Sequence, residues 1–502
     1  MSMQLLILLA LVLALVGVVT GQVVHHQGRF YHADGSQSVL GQMMPAAPAA
    51  GSSKTIMQPV DQLNNSTDTM FSQRYFVNDT QWDKANANAP ILLCVGGEGP
   101  PMDASVLVDS VHCSAMVQYS QQTNALTFAI EHRYYGSSLP TDFSTANLKK
   151  YLSTEQAAQD IRRFIIQMKK EYSIPDSTPW ITFGGSYPGM LAAISHQVSP
   201  DLIYATVASS APLLAVVEFP GYDEVTGEAY RNQLVGGSDQ CYDIILQGHA
   251  AIQSKLEEEE GRRQLEKDFN TCGKAGALDN KMNQALFAGN GVAYFPAQGN
   301  DPSCKTPLCN IAKVCAFLCD DMQHPEPYTR LVELSSKQSS SCKLVNHDAL
   351  VAAYMPVASP SRIWQYQTCS EWGFYMTCDT GSSCPFVQGL PSLNSSLEIC
   401  QKAFNIDEAS VRANVKKANE RYGGLDFKCE RVFFVNGEVD PWRASSVQEP
   451  TGHPEEPIHL APGTSHHFWT HEPLPTDGKY VDEARMLIYK QLDAWLAQKS
   501  PT

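Results

Sequence analysis

A chain of 502 residues outgrows a single typical hydrophobic core, so one large domain with an insertion, or two domains, is expected. A net charge of −16 without any basic block argues against binding to nucleic acid or to an anionic membrane surface. Only the N-terminus carries a long apolar run, so no stable membrane association is expected.

That run, residues 5–19, has the length of a signal-peptide core and ends in Val19-Thr20-Gly21, whose small residues suit cleavage. Residues 1–21 therefore read as a signal peptide. No lysine or arginine precedes the run, which leaves an uncleaved anchor as the alternative. Fourteen cysteines, an even number, fit an oxidising compartment. Glycosylation sequons at Asn64, Asn65, Asn78 and Asn394 agree with it. The expected destination is the outside of the cell, or a lysosome- or vacuole-like compartment reached by the secretory route.

Residues 22–56, rich in Ala, Pro, Gly and Ser from 33 to 55, read as a flexible linker or propeptide, with ordered sequence from about Met57. Ile91-Leu92-Leu93-Cys94-Val95 reads as a buried strand stopping at the turn Gly96-Gly97-Glu98-Gly99-Pro100. A second strand, 125–130, runs into Glu131-His132-Arg133, where His132 reads as a hydrogen-bonded structural histidine. Residues 153–172 form a helix opened by a capping box of Ser153 and Gln156, with Ala157, Ile161, Phe164, Ile165 and Met168 on one face.

The next strand, 180–183, leads into Gly184-Gly185-Ser186-Tyr187-Pro188-Gly189 and a helix beginning at Tyr187. Strand, tight turn and helix form the context in which an α/β-hydrolase serine becomes a nucleophile. The turn lifts Oγ above the sheet and aims the positive end of the following helix at the reacting carbonyl. The Tyr187 N–H is then one oxyanion donor, and Gly97 or Glu98, in the turn after the early strand, supplies the other. Pro188 is tolerable, because a first-turn helix N–H has no intrahelical partner to lose. A further strand, 204–208, ends at Ser209-Ser210-Ala211-Pro212, and the alternation of strand and helix points to a parallel sheet.

From 213 to 427 the pattern becomes helical and irregular, and most of the cysteines lie there. Glu257 to Glu260 reads as a solvated helix face. Cys304, Cys309, Cys315 and Cys319 lack the spacing of a usual zinc site and read as disulfide partners, so neither metal nor cofactor is expected. The sheet resumes at 431–435, followed by Asn436-Gly437-Glu438-Val439-Asp440-Pro441-Trp442. A last strand, 457–460, precedes Gly463-Thr464-Ser465-His466-His467, and 483–498 closes the chain as a helix. The fold class is thus α/β: residues 57–212 and 428–502 build one hydrolase domain, into which 213–427 is inserted as a disulfide-rich helical cap.

Ser186, Asp440 and His466 follow in the chain order of that fold, each after a strand end. A serine hydroxyl becomes nucleophilic when a neutral imidazole takes its proton, and a carboxylate fixes the tautomer of that imidazole. Glu438 rivals Asp440 as the acid; His467 and His471 rival His466 as the base.

The chain resembles the family of serine peptidases that holds lysosomal Pro-X carboxypeptidase, dipeptidyl peptidase II and thymus-specific serine protease. The matching words are Phe71-Ser72-Gln73-Arg74-Tyr75, Gly97-Glu98-Gly99, Glu131 to Gly136, Tyr151 to Ala157 and Gly184 to Tyr187. They continue with Ser210-Ala211-Pro212, Tyr366-Gln367-Thr368-Cys369, Gly373-Phe374-Tyr375, Asn436-Gly437 and Asp440-Pro441-Trp442. The resemblance implies an α/β-hydrolase with a helical cap, and its triad falls on Ser186, Asp440 and His466. It implies peptide substrates cut next to proline, by removal of a C-terminal residue or release of an N-terminal dipeptide. It also implies a pocket walled by Met190 and Trp442, to which Trp469 is a further candidate, and it leaves a homodimer open. Pro188 replaces a glycine of the Pro-X branch, Gly97 stands where that branch has asparagine, and Arg443-Ala444-Ser445 replaces a glycine-rich turn; together these lean toward the thymus-specific-like branch. The alternatives to an exopeptidase are a silent hydrolase-fold binding protein and a lipase or esterase.

Overall fold

The computed structural model describes residues 53–499 apart from 65–68, 87–88, 109, 111, 321–325, 356–360 and 451–454, together with the antiparallel strands β1 (Val23–His26) and β2 (Arg29–His32). The expected signal peptide lies outside the described residues, as does most of 22–56. The main sheet begins ahead of Met57, because β3 (Lys54–Pro59) pairs along its whole length, antiparallel, with β4 (Met70–Asn78).

Eight strands form this sheet. In sequence they are β3, β4, β5 (Ile91–Val95), β6 (Leu126–Ile130), β7 (Trp180–Gly185), β8 (Ala205–Ser209), β11 (Val432–Gly437) and β12 (Ile458–Ala461). In space the order is β12-β11-β8-β7-β5-β6-β4-β3. All neighbours from β12 to β6 are parallel. Every residue of β5, β6, β7 and β8 is buried, as continuous apolar runs in a two-sided sheet require. β4 alternates exposed and buried residues along its first half, the pattern of a half-solvated antiparallel strand.

Alternation along the strands feeds two cores. Leu92, Ile181, Phe183, Phe433 and Val435 face the helices Ser114–Thr123 and Lys479–Gln498. Leu93, Val95, Phe128 and Trp180 face Thr154–Glu171 and Tyr187–Val198. The helix Thr154–Glu171 keeps half of the expected capping box. Ser153 Oγ accepts from Gln156 N–H at 3.2 Å, but the Gln156 carboxamide turns away to Gln62, Asp61 and the fully buried Arg133. A buried ion pair wins that side chain: Arg133 binds Asp160 at 2.6 Å and needs further acceptors to offset its desolvation.

Between β8 and β11, adjacent in the sheet, the chain lays down ten described α-helices and a small parallel pair, β9 (Val216–Phe219) with β10 (Gly373–Met376). This inserted segment has a core of its own around Tyr230, Ile245, Phe287 and Leu331. A second cluster, with Trp372, Phe374 and Tyr375, joins it to Met190, Val432 and Phe434. Five of the six disulfides lie in it: Cys241–Cys315, Cys272–Cys342, Cys304–Cys309, Cys369–Cys400 and Cys378–Cys384. The sixth, Cys94–Cys113, ties β5 to the residue capping the helix Ser114–Thr123. Cys429, just beyond the insertion, belongs to none of the six.

Candidate active site

Four parallel strands end side by side, β11 and β12 running two residues beyond β7 and β8. Gly185 on β7 is level with Ser209 on β8, which is level with Val435 on β11; Gly437 is level with Ala461 on β12. Ser186 leaves β7 at φ 65° and ψ −135°, a strained turn for a residue with a Cβ. Its N–H donates to the Ser209 carbonyl at 2.9 Å, and the helix Tyr187–Val198 starts at once with Pro188 in its first turn. The elbow closes only because Gly184 has no side chain: a Cβ there would lie 2.3 Å from the Pro188 carbonyl oxygen.

Asp440 is fully buried after β11. Its Oδ1 accepts the Trp442 N–H at 3.0 Å, and its Oδ2 lies 2.8 Å from His466 Nδ1. The His466 N–H is held by the Gln298 carbonyl of the inserted segment at 3.2 Å, and its Nε2 is buried without a hydrogen-bond partner. The structure therefore joins His466 to Asp440 and records no hydrogen bond between His466 and Ser186; catalytic contacts of this kind commonly tighten only with substrate bound.

The rival side chains are engaged elsewhere. Glu438 accepts from Asn232 Nδ2 at 2.9 Å and from the Gly463 N–H at 2.7 Å. His467, in the left-handed region at φ 38°, donates its N–H to Ser210 Oγ at 2.9 Å, and its Nδ1 meets Thr470 Oγ1 at 3.0 Å. Burial, with His466, His471 and His112 nearby, holds its pKa well below the ordinary value. His471 is pushed down to about 3, chiefly by burial. Both rings are thus neutral and carry no contact to Asp440.

The two expected oxyanion segments touch. A Cβ on Gly97 would sit 2.4 Å from Pro188 Cγ and 3.1 Å from the Tyr187 ring, so only glycine lets the turn after β5 lie against the elbow. Met190 and Trp442 are both buried in the cluster joining sheet and insertion. The Trp442 indole packs on Phe374 at 5.2 Å, Tyr222 at 5.4 Å and Phe219 at 5.8 Å, with the His466 ring at 6.3 Å. Sequence reasoning missed this aromatic wall. Phe374 stood in a recognised family word, but Phe219 and Tyr222 lie in the insertion without any local signal. Trp469 packs in a different core cluster from Met190 and Trp442 and donates its indole N–H to Ser209 Oγ at 2.9 Å.

Of the sequon residues, Asn64 and Asn394 are exposed, and Asn65 lies outside the described residues. Asn78 is half-buried, with its amide nitrogen donating to the Leu107 carbonyl at 3.2 Å.

A family model described as serine carboxypeptidase S28 matches residues 58–488. The chain belongs to that family. It is 32% identical over 470 residues to the thymus-specific serine protease of Homo sapiens, covering 90% of this chain and 88% of that protein. It is 23% identical over 468 residues to the lysosomal Pro-X carboxypeptidase of Homo sapiens, with 90% of each covered. Among solved structures, a proline iminopeptidase from Mycobacterium smegmatis matches with a TM-score of 0.37 and 12% identity, over 89% of this chain and 100% of that one. The S28 chain described here is accordingly a serine peptidase on an α/β-hydrolase fold, with peptides as its substrates. Among the described residues no helix is long and apolar enough to cross a membrane, and six disulfides are consistent with the secretory route.

Proposed function

We propose that this S28 peptidase is an exopeptidase that cuts after proline or a small apolar residue, with Ser186 as nucleophile, His466 as base and Asp440 as its orienting acid. One observation carries the reading. The Asp440 carboxylate holds Nδ1 of His466 at 2.8 Å while Nε2, buried and unpartnered, is left to take a proton. In the reaction Ser186 Oγ adds to the scissile carbonyl as its proton passes to His466 Nε2. The oxyanion is met by the Tyr187 N–H and by an N–H of Gly97 or Glu98. When the C–N bond breaks, the imidazolium returns that proton to the departing amine; water then opens the acyl-enzyme by the same route.

The aromatic wall supports the specificity. Met190, Trp442 and Phe374 offer an apolar, water-poor lining that suits a compact ring and excludes long charged side chains. In this reading the segment 213–427 is a cap that blocks one end of the substrate site and so restricts cutting to peptide termini; its contact with the histidine loop through the Gln298 carbonyl supports that role. The same reading takes Asn64, Asn65, Asn78 and Asn394 as glycan acceptors and a lysosomal or extracellular site as the destination.

The test is a mixed peptide library, with both ends of each product identified, run beside fluorophosphonate labelling. Labelling at Ser186 together with release of terminal residues or dipeptides next to proline is the expected outcome. Cleavage of folded proteins at internal sites overturns the exopeptidase assignment. Labelling of another residue overturns the triad.

A further inference from the structure

Glu371 belongs to the inserted segment, in a π-helical turn, Thr368–Trp372, and it reaches the start of the helix Thr154–Glu171. Both of its carboxyl oxygens lie 3.0 Å from the Thr154 N–H, and Thr154 Oγ1 lies 3.0 Å from Oε2. Thr154 Oγ1 is also 3.3 Å from the hydroxyl of Tyr187, which lies 3.0 Å from His132 Nε2. The far end of this chain has a fixed direction. His132 Nδ1 is 2.6 Å from the Arg133 carbonyl, which can only accept, so Nδ1 carries the hydrogen. Burial lowers the pKa of His132 to about 4, so the ring is neutral and Nε2 is an acceptor. Tyr187 must therefore donate to His132, and its oxygen can receive a hydrogen bond from Thr154, with the Gln367 side chain beside it.

Whether it receives one depends on Glu371. An ionised carboxylate draws the Thr154 hydroxyl hydrogen to itself, and Tyr187 gets nothing from that side. A neutral carboxyl donates its own hydrogen to Thr154 Oγ1, Thr154 donates to Tyr187, and Tyr187 donates to His132. The chain is then continuous from the inserted segment to β6.

We propose that Glu371 is a positioning residue for the reaction: acting through Thr154, it fixes the Tyr187 side chain, and with it the peptide N–H that follows Ser186. This rests on the triad and oxyanion assignment made above. The groups facing Glu371 are Thr154 and Glu155 on one helix, Arg421 and Tyr422 on another, and Tyr187 and Tyr366; Arg421 is itself paired with Glu155. Desolvation of the carboxyl outweighs Thr154 and Arg421 and pushes its pKa up to about 7. The continuous chain therefore exists on the acid side of neutrality and is lost above it.

The experiment is the pH profile of kcat/KM for a proline-containing peptide, in the wild type and in Glu371→Gln, with labelling of Ser186 by a fluorophosphonate in both. A carboxamide keeps an oxygen for the Thr154 N–H and an N–H for Thr154 Oγ1, so it copies the neutral form at every pH. A single group titrating near 7 passes from about nine-tenths neutral to about one-tenth neutral between pH 6 and 8. The wild type should thus lose roughly tenfold over that interval, in kcat more than in KM, and Glu371→Gln should not. An unchanged decline in a labelled Glu371→Gln protein overturns the proposal and leaves the triad standing. Wild-type protein that is not labelled overturns the triad instead. Should Glu371→Gln fail to fold, Tyr187→Phe cuts the chain at its other end; a profile of wild-type shape in that variant overturns the proposal too.

Discussion

At the scale of single residues, the site separates groups that bear chemistry from groups that hold them. Ser186→Ala should keep the fold, read as an unchanged melting temperature, and lower kcat by about five to six orders of magnitude, because triad members act as a unit. His466→Ala should cost nearly as much. His467→Ala should cost far less in turnover, since that ring is neutral and touches Thr470 rather than Asp440. Trp442→Ala should reduce the preference for proline over alanine substrates by about 10- to 200-fold, the worth of one lost apolar wall, while Ser186 still accepts a phosphonate. Equal loss on both substrates would make Trp442 a support of the fold. Glu371 adds a stability prediction. Its folded pKa lies above its ordinary value of 4.5, so its contribution is present in full below about 4.5 and is lost as pH rises through about 7. Thermal melts of wild type against Glu371→Gln should converge in acid and separate in favour of the glutamine variant toward pH 8. Ser186, Asp440 and His466 could be proposed from the sequence because each falls just after a strand end, in a fixed chain order; the hydrogen bond between Asp440 and His466 is what the structure adds. Glu438 and His467 remained rivals in the sequence, because only the fold tells which side chain turns toward its neighbour.

At the scale of elements, two of the three departures from the Pro-X branch, Gly97 and Pro188, form a single contact. Pro188 fills the space in which any side chain at 97 would have to lie. Gly97→Asn should therefore push the turn after β5 away from the elbow and lower kcat without abolishing folding, and Pro188→Gly in the same chain should restore much of the loss. If the double variant is as slow as Gly97→Asn alone, the contact is not what sets the geometry. The buried strands were legible as continuous apolar runs, the elbow as a glycine turn between strand and helix, and the helix Thr154–Glu171 by its apolar face. What was not legible is pairing between distant segments. Gln156 carries the signature of a capping box, yet a buried arginine outside its own helix takes it. Trp469 lies close to His466 in sequence, yet it packs in a different core cluster from Met190 and Trp442.

At the scale of the molecule, the insertion is stapled independently of the sheet. Its five disulfides close loops of up to 74 residues, and removing a native disulfide typically costs about 2–5 kcal/mol. Cys241→Ser with Cys315→Ser should lower the melting temperature while leaving the Cys94–Cys113 bridge intact by non-reduced mass mapping; an unchanged melt would mean that the core around Tyr230 and Phe287 needs no staple. The sheet, by contrast, registers its chemistry through one dipeptide. Ser209 receives the N–H of Ser186 and Ser210 receives the N–H of His467, so the loops of the proposed nucleophile and base hang from consecutive residues at the tip of β8. Spacing between the two is therefore a short-range dimension, with a tolerance set by two hydrogen bonds and not by the hundreds of residues that separate them in sequence. Variation in the insertion away from Gln298 and Glu371 can accordingly reshape what reaches the site without detuning the step that breaks the bond.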